Sequence, residues 1–199
     1  MAQTLPRIYL ARHGETDWTI SGRHTGHTDI PLTKLGEHNA VLLGERLKGL
    51  TFAAVYTSPL QRASRTCELA GFGAVAQKDP DLMEWHYGDY EGRTTGDIQK
   101  ARPDWNIFRD GCPGGETIDE VAARAHRVVI RLKATNTGNT LLFSHGHFLR
   151  FVAAGWLGLP AIDARFFLLR PTSLSILGYE HDLSEPVIRL WNDDGHVES

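Results

Sequence analysis

The chain has 199 residues, 41% hydrophobic and 23% charged, with 21 Lys+Arg against 24 Asp+Glu and a formal net charge of -3. That composition builds a sizeable core within a single domain over residues 1–199, and without a basic run it argues against nucleic acid as a partner. Two cysteines, Cys67 and Cys112, exclude a disulfide framework or a thiolate metal cluster and fit a reducing, cytoplasmic setting. The longest apolar stretch, around Phe151 to Ala161, is too short to span a bilayer, so no membrane association is expected.

In chain order, Arg7 to Ala11 reads as a buried strand and Lys34 to Leu50 as an amphipathic helix. Ala53 to Tyr56 predicts a second strand, and "SPLQRASRTCELA" opens the next helix with Ser58 as N-cap and Pro59 at the first helical position. A short strand near Ala74 to Gln77 leads into the loop "EWHYGDYEGR", followed by a short helix near Thr95 to Arg102. Thr117 three residues before Glu120 is a capping-box pattern, and it starts a helix running to about Lys133. "NTLLFSHGHFLRFVAAGWLG" is strand, tight turn and helix, and further strands are predicted at Phe166 to Leu169, Ser173 to Tyr179 and Val187 to Trp191. Strands alternating with helices imply an α/β domain with a largely parallel sheet covered on both faces, whose ligands sit at the carboxyl ends of the strands.

Two strand ends share a grammar: an apolar run, a polar residue, His and Gly, as Arg12-His13-Gly14 and Ser144-His145-Gly146. A histidine after a strand is as often a solvated loop residue, but two matching ends point to one crevice. Each glycine is expected to permit a positive φ and a close approach of backbone amides to an anion. Arg62 lies in the first turns of a helix, where the dipole already favours negative charge, although a surface ion pair is its plainer reading. Arg12, Arg62, His13 and His145 together make a positive pocket on a slightly acidic protein, and phosphate fits arginine's bidentate geometry. No Walker A sequence, dinucleotide fingerprint or kinase glycine loop accompanies them, so no nucleotide cofactor is expected. The pairs His24/His27 and His145/His147 lack the surrounding ligands of a recognised zinc pattern, and no metal is expected.

"ARHGET", "GRHTGHTDIPLT", "TSPLQRASRT", "DLMEWHYGDYEG", "PGGET" and "LFSHGHFLR", in that order, resemble the motifs of the histidine phosphatase superfamily, which includes the cofactor-dependent phosphoglycerate mutases. The match spans nearly the whole chain. "EWHYGDYEG", "WNIFRDGCPGGET", "HGHFLRFVAAGWLGL" and "GYEHDLSEP" look most like the sedoheptulose bisphosphatase branch of sugar phosphatases. The resemblance implies a phosphoglycerate mutase-like three-layer α/β/α sandwich and a small phosphorylated metabolite as substrate. It further implies that His13 is the nucleophile, that Arg12 and Arg62 hold the phosphoryl oxygens, and that His145 donates to one of them. Glu84 matches the family's general acid, with the apolar neighbours Met83 and Trp85 expected to desolvate it.

Thr19 stands where the mutases usually have Asn; it offers phosphate a hydroxyl with shorter reach, a change the sugar bisphosphatase branch shares. The mutases are also longer, with an added central segment and a C-terminal tail over the site, so phosphatase is the expected reaction, with mutase and non-catalytic phosphate binding as the alternatives. Arg23, Thr25 and Gly26 in the "GRHTG" loop, Tyr87, Gly146, Arg150 and His181 are the candidates for the rest of the pocket, together with His24. Of these, Arg23, Arg150 or His181 would hold a second phosphate. Trp85, Tyr87 and Tyr90 are expected to wall a sugar-sized space, although core packing is equally ordinary for them.

Overall fold

In the computed structural model, which describes residues 5–135 and 138–198, the first strand, β1 (Ile8–Arg12), sends Ile8 and Leu10 into one apolar cluster and Tyr9 and Ala11 into another. A strand buried on both faces requires a helical layer on each. One layer consists of α2 (Lys34–Leu47) and α3 (Gln61–Leu69), whose Leu43, Leu47, Cys67 and Ala70 pack with Tyr9 and Ala11. The other is α6 (Ile118–Ala134) with α7 (Gly146–Trp156), contributing Val121, Val128, Phe148 and Trp156. Thr117 and Glu120 form the expected capping box of α6. The shorter α1 (Asp17–Ser21), α4 (Thr95–Ala101) and α5 (Ile107–Asp110) sit in the connections.

With β2 (Phe52–Thr57), β3 (Gln77–Lys78), β4 (Asn139–Ser144), β5 (Leu174–Tyr179) and β6 (Pro186–Asp193), the sheet runs β3-β2-β4-β1-β5-β6. The first four are mutually parallel, while β5 runs antiparallel to β1 and β6 to β5. This is the expected sandwich. The helix after β1 lies on one face and the helix after β4 on the other, so the crevice between those neighbours is a topological switch point.

Several predicted elements differ. Helix α2 ends at Leu47, not Leu50, and the strand expected at Ala74 to Gln77 shrinks to Gln77–Lys78. Phe166 to Leu169 is no strand: a 3-10 helix occupies Ala161–Phe166, and Phe166 and Leu168 are exposed. The carbonyls of Leu168 and Leu169 accept from Trp191 Nε1 and Arg12 Nη1 instead of from a ladder. Ser58-Pro59 does not open α3, whose N-cap is Leu60. Asp29 accepts the Gln61 N–H at 2.8 Å, so a residue distant in sequence meets the first helical N–H, while the Ser58 hydroxyl oxygen accepts only the Leu60 N–H ahead of the helix, at 3.3 Å.

Candidate active site

Register brings the site together. Arg12 pairs with Ser144 across β1 and β4, and the His13 N–H donates to the Ser144 carbonyl at 2.9 Å. The two histidines therefore leave adjacent strands at one level, with ring centroids 5.2 Å apart. Thr57 pairs with Phe143 across β2 and β4, which delivers Ser58 to the same edge. Its hydroxyl lies 2.8 Å from His145 Nε2.

Among the described residues the His13 ring has one hydrogen bond, from Nδ1 to the Gly14 carbonyl at 2.7 Å. A carbonyl only accepts, so Nδ1 carries the proton and Nε2 keeps its lone pair. Burial, then the charges of Arg62 and Arg12, hold the imidazole well below its ordinary pKa. It is neutral at physiological pH, as a nucleophile must be. His145 is neutral for the same reasons, burial first and then Arg62, and its Nδ1 is buried without a partner among the described residues.

The glycines act differently from expectation. Neither Gly14 nor Gly146 has a positive φ. A Cβ on Gly14 would stand 2.6 Å from the Gly36 carbonyl oxygen, and one on Gly146 would stand 3.1 Å from Arg12 Cζ. Gly14 thus lets the start of α2 pack against the nucleophile's turn, and Gly146 makes room for the Arg12 guanidinium.

Arg12 donates from Nη1 to the Leu169 carbonyl and leaves Nε buried and, among the described residues, unpaired. Burial lowers its pKa to about 10, so it remains a cation. Arg62 is fully buried and donates to the carbonyls of Thr25, Gly26 and Thr28, again with Nε unpaired among the described residues. The loop it grips is shaped by Glu91, whose carboxylate accepts from the backbone of Gly26, His27 and Thr28 and from the Thr28 hydroxyl. Gly26 belongs to this scaffold: a Cβ there would lie 2.0 Å from Glu91 Oε1, and the residue does not line the cavity.

Glu84 is 5% exposed, yet its surroundings are not the apolar ones expected. Oε1 accepts from the N–H groups of Trp85 at 2.9 Å and Phe148 at 2.8 Å, and Oε2 from that of His147 at 3.0 Å. The carboxylate thus serves the first turn of α7, whose N-cap His145 makes no side-chain cap. Arg124, on the buried face of α6, fixes the loop from behind by donating to the carbonyls of Asp81, Met83 and Glu84 while paired with Glu116. A charged residue within the apolar stripe of Val121, Ala125 and Val128 was the readable sign of that brace.

Arg12, His13 and Glu84 open on a cavity of about 250 Å³, lined also by Thr19, Arg23, Thr25, Tyr87, Gly146 and Arg150 among the expected residues, whereas Arg62 and His145 are fully buried and do not line it. Trp18, Gly22, His24, Thr95 and His147 line it too; of these, Trp18, Gly22, Thr95 and His147 were not anticipated. Three expectations fail. The Thr19 hydroxyl is committed to the capping box of α1, donating to the Thr16 carbonyl at 2.8 Å and accepting the Thr16 N–H at 2.9 Å, so it has no proton for phosphate. His181 is exposed and paired with Glu185 beyond the end of β5. Because β5 runs antiparallel to β1, with Leu174 beside Ala11 and Leu177 beside Ile8, its end lies at the opposite edge of the sheet from the cavity. Of the aromatic wall only Tyr87 lines the cavity; Trp85 and Tyr90 are core residues. Among the described residues no group of three or more His, Cys, Asp or Glu is placed to hold a metal ion, and no helix is long and apolar enough to cross a membrane.

The sequence profile of the histidine phosphatase superfamily (branch 1) matches residues 8–194. An acid phosphatase of Mycobacterium tuberculosis is 40% identical over 182 residues, covering 90% of this chain and 89% of the relative. A sedoheptulose 1,7-bisphosphatase of Saccharomyces cerevisiae is 37% identical, covering 96% and 94%. Among solved structures, an open reading frame product of Mycobacterium tuberculosis superposes with a TM-score of 0.89 at 37% identity, covering 94% of this chain and 97% of that one.

Proposed function

The chain belongs to the histidine phosphatase superfamily, branch 1, and from that premise we propose that it hydrolyses phosphate monoesters of small metabolites, sugar phosphates or bisphosphates, through a phosphohistidine on His13 and without a metal. One observation carries the reading: among the described residues, buried side-chain nitrogens without a partner gather at this pocket and on the buried side chains beside His13. Arg12 Nε and Arg150 Nε belong to cavity-lining residues, while Arg62 Nε and His145 Nδ1 belong to buried residues next to His13, the last being a donor when His145 Nε2 accepts the Ser58 hydroxyl. Unmet buried donors are costly, and a phosphoryl group with its oxygens satisfies several at once.

In the first step His13 Nε2 attacks phosphorus, the P–O bond to the alcohol breaks, and Glu84 in its acid form protonates the departing oxygen. In the second, the Glu84 carboxylate takes a proton from water as the oxygen attacks phosphorus, the P–N bond breaks and inorganic phosphate leaves. The unpaired Nε–H groups of Arg12 and Arg62, with His145, stabilise charge on the equatorial oxygens. Arg150 lines the cavity with no hydrogen bond or ion pair among the described residues, which supports a second anionic group on the substrate, with Arg23 as its other cation. The names of the acid phosphatase and the sedoheptulose 1,7-bisphosphatase support the same reading.

The deciding experiment measures phosphate release in EDTA from sugar mono- and bisphosphates, phosphoglycerates, nucleotides and p-nitrophenyl phosphate, beside an isomerisation assay on the phosphoglycerates. Release concentrated on sugar phosphates is expected. Isomerisation without release would replace the reading with a mutase, and silence on every substrate would replace it with phosphate binding alone.

A further inference from the structure

Beyond the phosphate end, the cavity wall holds a group that the proposed reaction does not use. His147 is the second residue of α7, directly after the His145-Gly146 turn. Its ring stands edge-on to Trp85, Tyr87 and Phe108, with centroids 6.1, 5.8 and 5.3 Å away and an interplanar angle of 81° in each case. Three such neighbours hold the imidazole in one orientation unless the cluster repacks.

The position of its proton follows from a single hydrogen bond. Tyr87 Oη lies 2.5 Å from His147 Nδ1, and the phenol has no other partner among the described residues. Burial keeps Tyr87 protonated by raising its pKa well above the ordinary value. A phenolic proton with one acceptor in reach is given to it, so Nδ1 accepts. The ring is also neutral, since burial, followed by the charges of Arg150, His24 and Arg12, lowers its pKa well below the usual imidazole value. A neutral imidazole that accepts at Nδ1 carries its proton on Nε2, and among the described residues no protein group takes it.

We propose that His147 determines specificity: its Nε2–H, fixed in that tautomer by Tyr87, donates a hydrogen bond to an oxygen on the alcohol portion of the substrate. This rests on the phosphatase reading above. A pure donor with Arg150 and Arg12 nearby favours hydroxyl, carboxylate or phosphate oxygens and disfavours an ammonium group. The substrate class is therefore phosphate esters of polyhydroxy or anionic alcohols, with amino-alcohol phosphates rejected.

The test has a spectroscopic arm and a kinetic arm. Nitrogen-15 NMR of the imidazoles in the intact chain should show His147 as the Nε2–H tautomer, and Tyr87→Phe should turn it into a mixture; an Nδ1–H tautomer in the unmodified protein, or no change on Tyr87→Phe, would overturn the proposal. In the kinetic arm, His147→Ala should lower kcat/KM for sugar phosphates and glycerol phosphate about tenfold relative to p-nitrophenyl phosphate, the scale of one lost hydrogen bond. His147→Gln, whose amide nitrogen supplies a donor near Nε2 and which spares the aromatic cluster more than Ala does, should restore most of that ratio. Phosphoethanolamine should be a poor substrate of the unmodified enzyme and gain relative to glycerol phosphate in His147→Ala. Equal losses on all esters in both variants would remove His147 as a specificity residue while leaving the phosphatase reading intact. No phosphate release by the unmodified protein would remove both.

Discussion

The imidazole of His13 donates its Nδ1 proton to the carbonyl oxygen of the next residue, Gly14, at 2.7 Å. That contact requires the chain to turn sharply after β1, and the turn is fixed from both sides: the Gly14 N–H donates to Thr66 Oγ1 at 3.0 Å, and the His13 carbonyl accepts the Thr172 N–H at 3.0 Å. The result is a neutral ring with its lone pair on Nε2, needing no general base to activate it.

Replacing His13 with Ala should lower turnover at least about 10³-fold, the scale on which a lost nucleophile is felt. Phosphorus-31 NMR of acid-labile, base-stable phosphoprotein during turnover should detect phosphohistidine in the unmodified enzyme and none in the variant. Appreciable turnover by the variant would assign the nucleophile elsewhere.

Glu84→Gln retains the shape of the site and loses the proton donor. Release from sugar phosphates should slow about 100-fold more than release from p-nitrophenyl phosphate, whose leaving group needs no proton. The ratio of the two rates is the readout, because the three backbone N–H groups that Glu84 accepts make some loss common to both substrates. An unchanged ratio would leave Glu84 with the helix-capping role alone.

Arg150→Met keeps an unbranched apolar side chain beside Phe108, over whose ring the guanidinium sits at 5.9 Å, and removes the charge. KM should rise about tenfold or more for a sugar bisphosphate relative to the matching monophosphate, as expected for a lost charge-assisted contact. A uniform change across both would argue against a second anion subsite at this residue.

Stability should fall as pH drops below 6.5. His13, His145 and His147 are each held well below the ordinary imidazole value of 6.5, by burial first and by neighbouring cations second. Below that value the unfolded chain binds protons that the folded chain refuses, so each group costs about 1.4 kcal/mol per pH unit until its folded pKa is reached. Thermal melts in phosphate-free buffer should show Tm declining between pH 7 and pH 5, above the range in which the carboxylates titrate. A flat Tm over that interval would show that these rings are not held neutral.

Gly36→Ala should destabilise the protein by about 2 kcal/mol, as overpacking against backbone does. A Cβ there would meet the Glu15 carbonyl oxygen at 2.3 Å, and the backbone of the nucleophile's turn would have to move. Calorimetry together with kcat measures the strain and its transmission to His13; an unchanged Tm would mean the turn is free to shift.

Local signals in the sequence determined the layers and the phosphate end of the site. The apolar runs of β1 and β4, each ending in a polar residue, His and Gly, marked His13 and His145 as neighbours, because parallel strands in one sheet finish on one edge. The Thr117/Glu120 box and the amphipathic stripes fixed α6 and α2 for equally local reasons. Everything that depended on a partner distant in the chain was decided by tertiary structure. Asp29, not Ser58, caps α3; Glu91 shapes the loop whose carbonyls grip Arg62; and Glu84 finds three N–H donors where the sequence offered only Met83 and Trp85. The antiparallel run of β5 carries His181 to the far edge of the sheet; Thr19 is the local exception, spending its hydroxyl on Thr16 three residues before it. A residue's type and spacing state which bonds it is able to make, but hydrogen-bonding groups are satisfied by whatever the fold brings within 3 Å, and sequence separation carries no record of that distance.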